Sequence, residues 1–244
     1  IGRQEIVLGS EWLFGNNNAS SFFPQLSYDA IRLTYATDMV SVDAIWAKLA
    51  ENSPAEEDGD VDLYALYGSY MGLEDITIDA YYVLVRDAVS RNTARNWIGE
   101  IVEDIFGWDE YSVTNLNTVG LRGNGVYGPV DFEAELAYQF GNASSVGVLF
   151  GDDEADFEYW GLNTEVGYTF DVAYQPRVYL GFVYLDGEDN RTPGYWEWLN
   201  AQFNPWYTPE ASMGFNRLFS NWEYSEFLEN TAMSNVWIIR GGEI

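Results

Sequence analysis

Val130-Asp131-Phe132-Glu133-Ala134-Glu135-Leu136-Ala137-Tyr138-Gln139-Phe140 alternates almost residue by residue between apolar and polar side chains. In an extended chain, Val130, Phe132, Ala134, Leu136, Tyr138 and Phe140 share one side, and Asp131, Glu133, Glu135 and Gln139 share the other. A tilted strand of about 9–11 residues is long enough to cross a bilayer. Three carboxylates cannot face hydrocarbon. The apolar set is therefore the lipid face, and the carboxylate set faces the lumen of a barrel.

The same period continues on both sides of this stretch. Ile76, Ile78, Ala80, Tyr82 and Leu84 oppose Thr77, Asp79 and Tyr81. Leu162, Thr164, Val166, Tyr168 and Phe170 oppose Asn163, Glu165 and Thr169, and Val178, Leu180, Phe182 and Tyr184 oppose Arg177, Tyr179 and Gly181. Fainter strands run over Gly2–Leu8, Tyr28–Tyr35, Met39–Ala47, Val61–Tyr70, Asn117–Tyr127 and Asn235–Glu243. The connections alternate as well. Ala36–Asp38, Met71–Asp75, Gly128–Pro129 and Asp171–Tyr174 are short, whereas Gly9–Ser27, Lys48–Asp60, Arg86–Thr114, Gly141–Glu158 and Asp186–Ser234 are long. Long loops on one side and short turns on the other mark a transmembrane up-and-down β-barrel of the bacterial outer membrane, with loops outside the cell and turns in the periplasm. A soluble β-sandwich would leave the aromatic faces at both ends of the strands unexplained.

Composition agrees. Aromatics make up 17% of 244 residues, including 10 Trp and 18 Tyr, as expected where rings gather in girdles at two membrane interfaces. Neither Cys nor His occurs, which removes disulfides, thiolate metal sites and the commonest general base. No nucleophile with a base and no carboxylate pair with divergent environments stands out, so an enzyme is not expected. A net charge of -28 argues against nucleic acid as a partner. The expected surroundings are outer-membrane lipid and lipopolysaccharide, with small solutes or ions in the lumen; the pattern names no protein partner. We read residues 1–244 as a single barrel domain that is incomplete at both ends.

Strand parity makes Arg3, Glu5, Arg32, Asp43, Asp62, Asp79, Arg122, Asp131, Glu133, Glu135, Glu165, Arg177 and Arg240 the pore-lining charges. Such rings either set ion preference or form salt-bridge ladders that stiffen the wall, and the excess of acids favours cations or neutral solutes. One loop breaks the strand period. Over Ser90–Gly107, Trp97, Ile98, Ile101, Val102 and Ile105 recur at helical spacing, predicting a short amphipathic helix. It either folds inward, making Trp97, Ile101 and Ile105 a constriction, or packs on the rim. Asp58, Asp60 and Asp62 have the 1-3-5 spacing of a Ca²⁺ loop, but the glycine comes too early and no terminal Glu follows. A solvated acidic loop is the better reading, and no cofactor is expected. The last loop carries Trp196, Trp198, Phe203, Trp206, Tyr207, Phe215, Phe219, Trp222, Tyr224 and Phe227, which reads as a compact lid or plug packed on itself and the barrel, with sugar stacking as the alternative.

Several segments carry a family resemblance. Gly2-Arg3-Gln4, Tyr28-Asp29-Ala30-Ile31-Arg32-Leu33 and Val42-Asp43-Ala44-Ile45-Trp46-Ala47 follow one another in order. Thr118–Gly123, Glu135–Gly141 and Pro176–Gly181 come later. Together they resemble strands of the alginate-export family of outer-membrane porins. That resemblance implies an 18-stranded monomeric barrel narrowed by inward-folded loops, of which the strands here would be an internal portion. It also implies an arginine-rich lumen for a polyanion, with Arg3, Arg32 and Arg122 at matching wall positions. Asp131, Glu133 and Glu135 oppose that role. The expected function is a passive channel for small hydrophilic solutes or ions. The alternative is a scaffold or surface-binding barrel whose acidic, aromatic loops contact a partner protein or polysaccharide.

Overall fold

The computed structural model describes residues 1–16, 26–51, 60–88, 113–143, 155–187, 214–222, 224 and 233–243. Its ten strands are β1 (Gly2–Gln4), β2 (Tyr28–Ala36), β3 (Val40–Ala50), β4 (Val61–Leu73), β5 (Ile76–Asp87), β6 (Thr114–Tyr127), β7 (Val130–Ala143), β8 (Ala155–Thr169), β9 (Arg177–Leu185) and β10 (Val236–Glu243). They form one antiparallel up-and-down sheet in which hydrogen-bonded neighbours are also neighbours in sequence. No helix occurs among the described residues, and the helix expected over Ser90–Gly107, with Trp97, Ile101 and Ile105, lies outside them.

The short connections meet the demands of tight turns. Between β6 and β7 the chain reverses through Gly128 at φ 59° and Pro129. Between β4 and β5 it does so through Glu74 and Asp75, the latter at φ 58°. Both left-handed positions suit Gly and Asp. After β2, the Thr37 hydroxyl accepts from Val40 N–H at 3.0 Å and fixes the turn into β3. All four turns lie at one end of the sheet and the five longer connections at the other.

Several strands run a few residues beyond their expected bounds, and the largest departures are in β1 and β8. β1 stops at Gln4 rather than Leu8 because the chain leaves the sheet there: Ile6 is 2% exposed, and Leu8 makes a bridge to Phe14. β8 begins at Ala155, so the last residues of the long connection expected over Gly141–Glu158 are strand.

The exposed face of the sheet is apolar along its length, whereas the covered face is apolar near the loop end and charged toward the turn end. On the exposed face, Leu33, Leu66, Leu121, Leu136, Val166, Leu180 and Ile239 all stand open. Aromatics concentrate at its margins. Trp46 and Tyr64 sit side by side near the loop end, where Tyr138 lies 4.5 Å from Trp160 and Tyr184 opposes Trp237. Tyr35, Tyr70, Tyr127 and Tyr168 mark the turn end. The other face is covered, and the hydrophobic core lies against it.

Candidate functional site

The covered face carries two bands. Near the loop end its strands present small or branched residues, including Ala30, Ala47, Ala65, Val83, Ala137 and Val183, each at most 7% exposed. A short side chain leaves room for something to lie on the sheet. Two loop segments fill it: residues 6–16 after β1 and 214–222 before β10.

These segments act as one plug. Phe14 pairs in parallel with Phe219, Gly15 N–H donates to Phe219 O at 2.9 Å, and Phe219 N–H donates to Leu13 O at 3.0 Å. Trp12 stacks on Phe215 at 5.9 Å, and its indole N–H donates to the Tyr224 hydroxyl at 2.9 Å. Burial raises the Tyr224 phenol above its ordinary value, keeping it neutral and able to accept. Trp222 Nε1 donates to Ser10 O at 2.6 Å. The plug is keyed to the wall at several points. Gln139, fully buried, donates from Nε2 to Asn216 O and accepts from Asn216 N–H, both at 2.7 Å. The Phe215 ring occupies the space a side chain at Gly161 would take. Arg240 lies over the Trp222 ring, 4.2 Å from its centre.

Toward the turn end the same face becomes charged. Register brings these residues together, because directly opposed positions on neighbouring strands share a face. Asp79 opposes Arg122, Arg122 opposes Glu135, and Glu133 opposes Glu165. Arg122 donates to Asp79 at 2.6 Å and to Glu133 at 2.9 Å. Arg177 grips Asp131 through Nε and Nη2 at 2.9 and 2.5 Å and also reaches Glu165 at 2.8 Å. Arg240 approaches the other oxygen of Glu165 at 3.2 Å. Arg32 holds Asp43 bidentately at 2.8 Å, with Thr34 donating to the same carboxylate. Glu135 stands at the border of the bands, accepting from Tyr81 at 2.7 Å and from Ser10 of the plug at 3.3 Å.

Below the plug, at the turn end, lies a cavity of about 360 Å³ whose lining includes Thr77, Asn124, Asp131, Glu133, Glu165 and Arg177. Charged and hydrogen-bonding groups dominate its wall. Such a chamber can hold water and polar solute.

Ten of the charges expected to share a face do so: Arg32, Asp43, Asp79, Arg122, Asp131, Glu133, Glu135, Glu165, Arg177 and Arg240. Arg3 and Asp62 do not. Arg3 opposes Asp29 on the side of Ile31 and Leu33 and donates to it at 2.9 Å. Asp62 alternates with Leu63 and so shares the side of Tyr64 and Leu66, where the Trp46 indole N–H donates to it at 3.2 Å. Both lie at the loop end of their strands, where the outward face is also polar. Glu5 falls beyond β1 and accepts from Asn16 Nδ2 at 3.1 Å. Of the aspartates with calcium-loop spacing, Asp60 and Asp62 face Lys48, and Asp58 lies outside the described residues. Of the last loop's aromatics, Phe215, Phe219, Trp222 and Tyr224 belong to the plug; Trp196, Trp198, Phe203, Trp206, Tyr207 and Phe227 lie outside the described residues. Sequence reasoning missed Ser10 and Asn216, single polar residues in irregular loops whose roles come only from distant partners.

In comparisons with known proteins, the family model described as alginate export matches residues 1–239. No curated protein matches the chain.

Proposed function

This chain belongs to the alginate-export family, and we propose that its sheet is wall of an outer-membrane β-barrel forming a passive channel for small hydrophilic solutes or ions. The observation that carries this reading is the contrast between the faces: Leu121 is 56% exposed while the Asp79 it flanks diagonally is 2% exposed and ion-paired. An apolar face of that extent is what a β-barrel wall turns toward lipid, and charges on the opposite face would then line the lumen. The long connections would face outside the cell and the turns the periplasm. Closure of the sheet and the family's 18-strand count belong to the same proposal.

The solute class follows from how the charges are used. A polyanion needs guanidinium groups free to meet its carboxylates. Here Arg32, Arg122 and Arg177 are each already bound to carboxylates. Cations and neutral solutes therefore fit this lumen better than a polyuronate does.

Planar-bilayer recording tests the reading. The folded full chain is expected to give stepwise conductance, larger in Gln139→Ala, which unfastens Asn216 of the plug. Silence from both proteins would overturn it. The second reading, a scaffold or surface-binding barrel, is favoured by the depth of the plug, with Trp12 1% and Leu13 2% exposed. It predicts that silence.

A further inference from the structure

Resting on the channel reading, we propose that Glu133 determines the channel's charge selectivity by holding hydrated cations in transit at the turn-end cavity. The argument begins with which carboxylate oxygens are already occupied. Both oxygens of Asp43 and both of Asp131 are bound by an arginine. Glu165 gives one oxygen to Arg177 and the other to Arg240. Glu135 uses its two on Tyr81 and Ser10. Asp79 is bound by Arg122 and only 2% exposed, so it is sealed from solute.

Glu133 differs. Its Oε2 accepts from Arg122, but Oε1 is enclosed without a hydrogen-bond partner. An enclosed carboxylate oxygen with no donor is costly. Its side chain lines the cavity and is 23% exposed, although Oε1 itself is closed to solvent, so a donor meets it only once the carboxylate turns toward the cavity. The charge count points the same way. Three guanidinium groups, on Arg122, Arg177 and Arg240, serve four carboxylates, on Asp79, Asp131, Glu133 and Glu165. One negative charge is left over. Glu165 lies directly across from Glu133 and adds repulsion, which a cation between the strands would relieve. A hydrated monovalent cation supplies both the missing charge and, through its water shell, the missing donor. An anion supplies neither.

The experiment measures reversal potential under a KCl gradient for the full chain in a planar bilayer. The wild type is expected to prefer K⁺ over Cl⁻. Glu133→Gln should lower the permeability ratio several-fold, and Glu133→Asp should keep most of it. Asp29→Asn removes the same charge from the opposite face and should change nothing. Should Glu133→Gln fail to fold, Thr77→Lys places a positive charge in the cavity wall and must lower the ratio instead. A ratio unmoved by the cavity substitution, a shift matched by Asp29→Asn, or an anion-selective wild type would overturn the role of Glu133 and leave the channel standing. Silence from both the wild type and Gln139→Ala would remove the channel reading, and this inference with it.

Discussion

Gln139 and Asn216 exchange two hydrogen bonds of 2.7 Å, side-chain amide to backbone peptide, across 77 residues of chain. Gln139 projects from the covered face of β7, and Asn216 is in the plug, so the pair fastens loop to wall. An amide donates and accepts at once, as a peptide unit does, and thus satisfies the Asn216 N–H and C=O together. Gln139→Ala removes the partner of both peptide groups, and because Asn216 is itself exposed, water replaces part of what is lost. The expected cost is ~1–3 kcal/mol for each group that water does not reach. Limited proteolysis in detergent micelles should cut the segment around residues 214–222 sooner in the variant than in the wild type. Equal cutting rates would show that the aromatic packing of Trp12 and Phe215 suffices to hold the plug.

Two glycines with the same backbone angle make a controlled comparison. Gly9 and Gly128 both have φ 59°, but a Cβ at Gly9 would lie 2.8 Å from the Tyr67 hydroxyl and 3.3 Å from Arg122 Cδ, whereas one at Gly128 meets nothing within 4 Å. Alanine at Gly128 should cost only the left-handed strain, ~1–2 kcal/mol. Alanine at Gly9 carries the same strain and must also displace Tyr67 or lift the plug. Urea unfolding in micelles should therefore rank Gly9→Ala below Gly128→Ala. The reverse order would mean that the loop between Leu8 and Trp12 is not seated on Tyr67.

The strands were legible because their information is local. In β7 the period of two is written in successive residues, and the observed faces follow it from Val130 to Phe140. Parity failed at Arg3 and Asp62, where a charge was enough to suggest the lumen. Near the loop end the outward face also carries charge: Asp29, Lys48 and Asp62 lie there beside Trp46. Only the register, a property of paired strands, separates the two cases. The plug was legible as an aromatic excess in the last loop, but not as a structure. Phe219 meets Phe14, and Trp222 meets Ser10, across nearly the whole chain. No spacing rule encodes such contacts. Nor does charge counting show which carboxylates are occupied; that depends on whether Arg177 reaches Asp131 and Glu165 together.

The assignment of faces can be tested within one strand, because the chain contains no cysteine. Thr77 opposes Asn124 and lines the cavity; Ile78, the next residue of β5, opposes Gly123 and is 39% exposed on the apolar side. In proteoliposomes, Thr77→Cys should react with a membrane-impermeant maleimide and Ile78→Cys should not. Removing the lipid into detergent should narrow the difference. Labelling of Ile78→Cys alone would place the register one residue out and exchange lipid and lumen along the strand.

The two kinds of ion pair should respond to mutation in opposite ways. Arg122 is 8% exposed, and its guanidinium serves Asp79 and Glu133 together. Replacing it with Met keeps an unbranched apolar stem but leaves the carboxylates on either side of β6 without their shared counter-charge. Breaking a buried pair in this manner costs ~3–5 kcal/mol. Part of that cost will fall on the plug, since Arg122 also borders Gly9. Arg3 and Asp29, by contrast, form an open pair with side chains 71% and 59% exposed. Arg3→Met should leave stability unchanged within error, because solvent already screens both charges. The test is a pair of urea titrations at low and high salt. Arg122→Met should shift the midpoint markedly in both, and Arg3→Met in neither. A small shift for Arg122→Met would mean that Asp79 and Glu133 find other donors, and the charged band would then be more fluid than its hydrogen bonds imply.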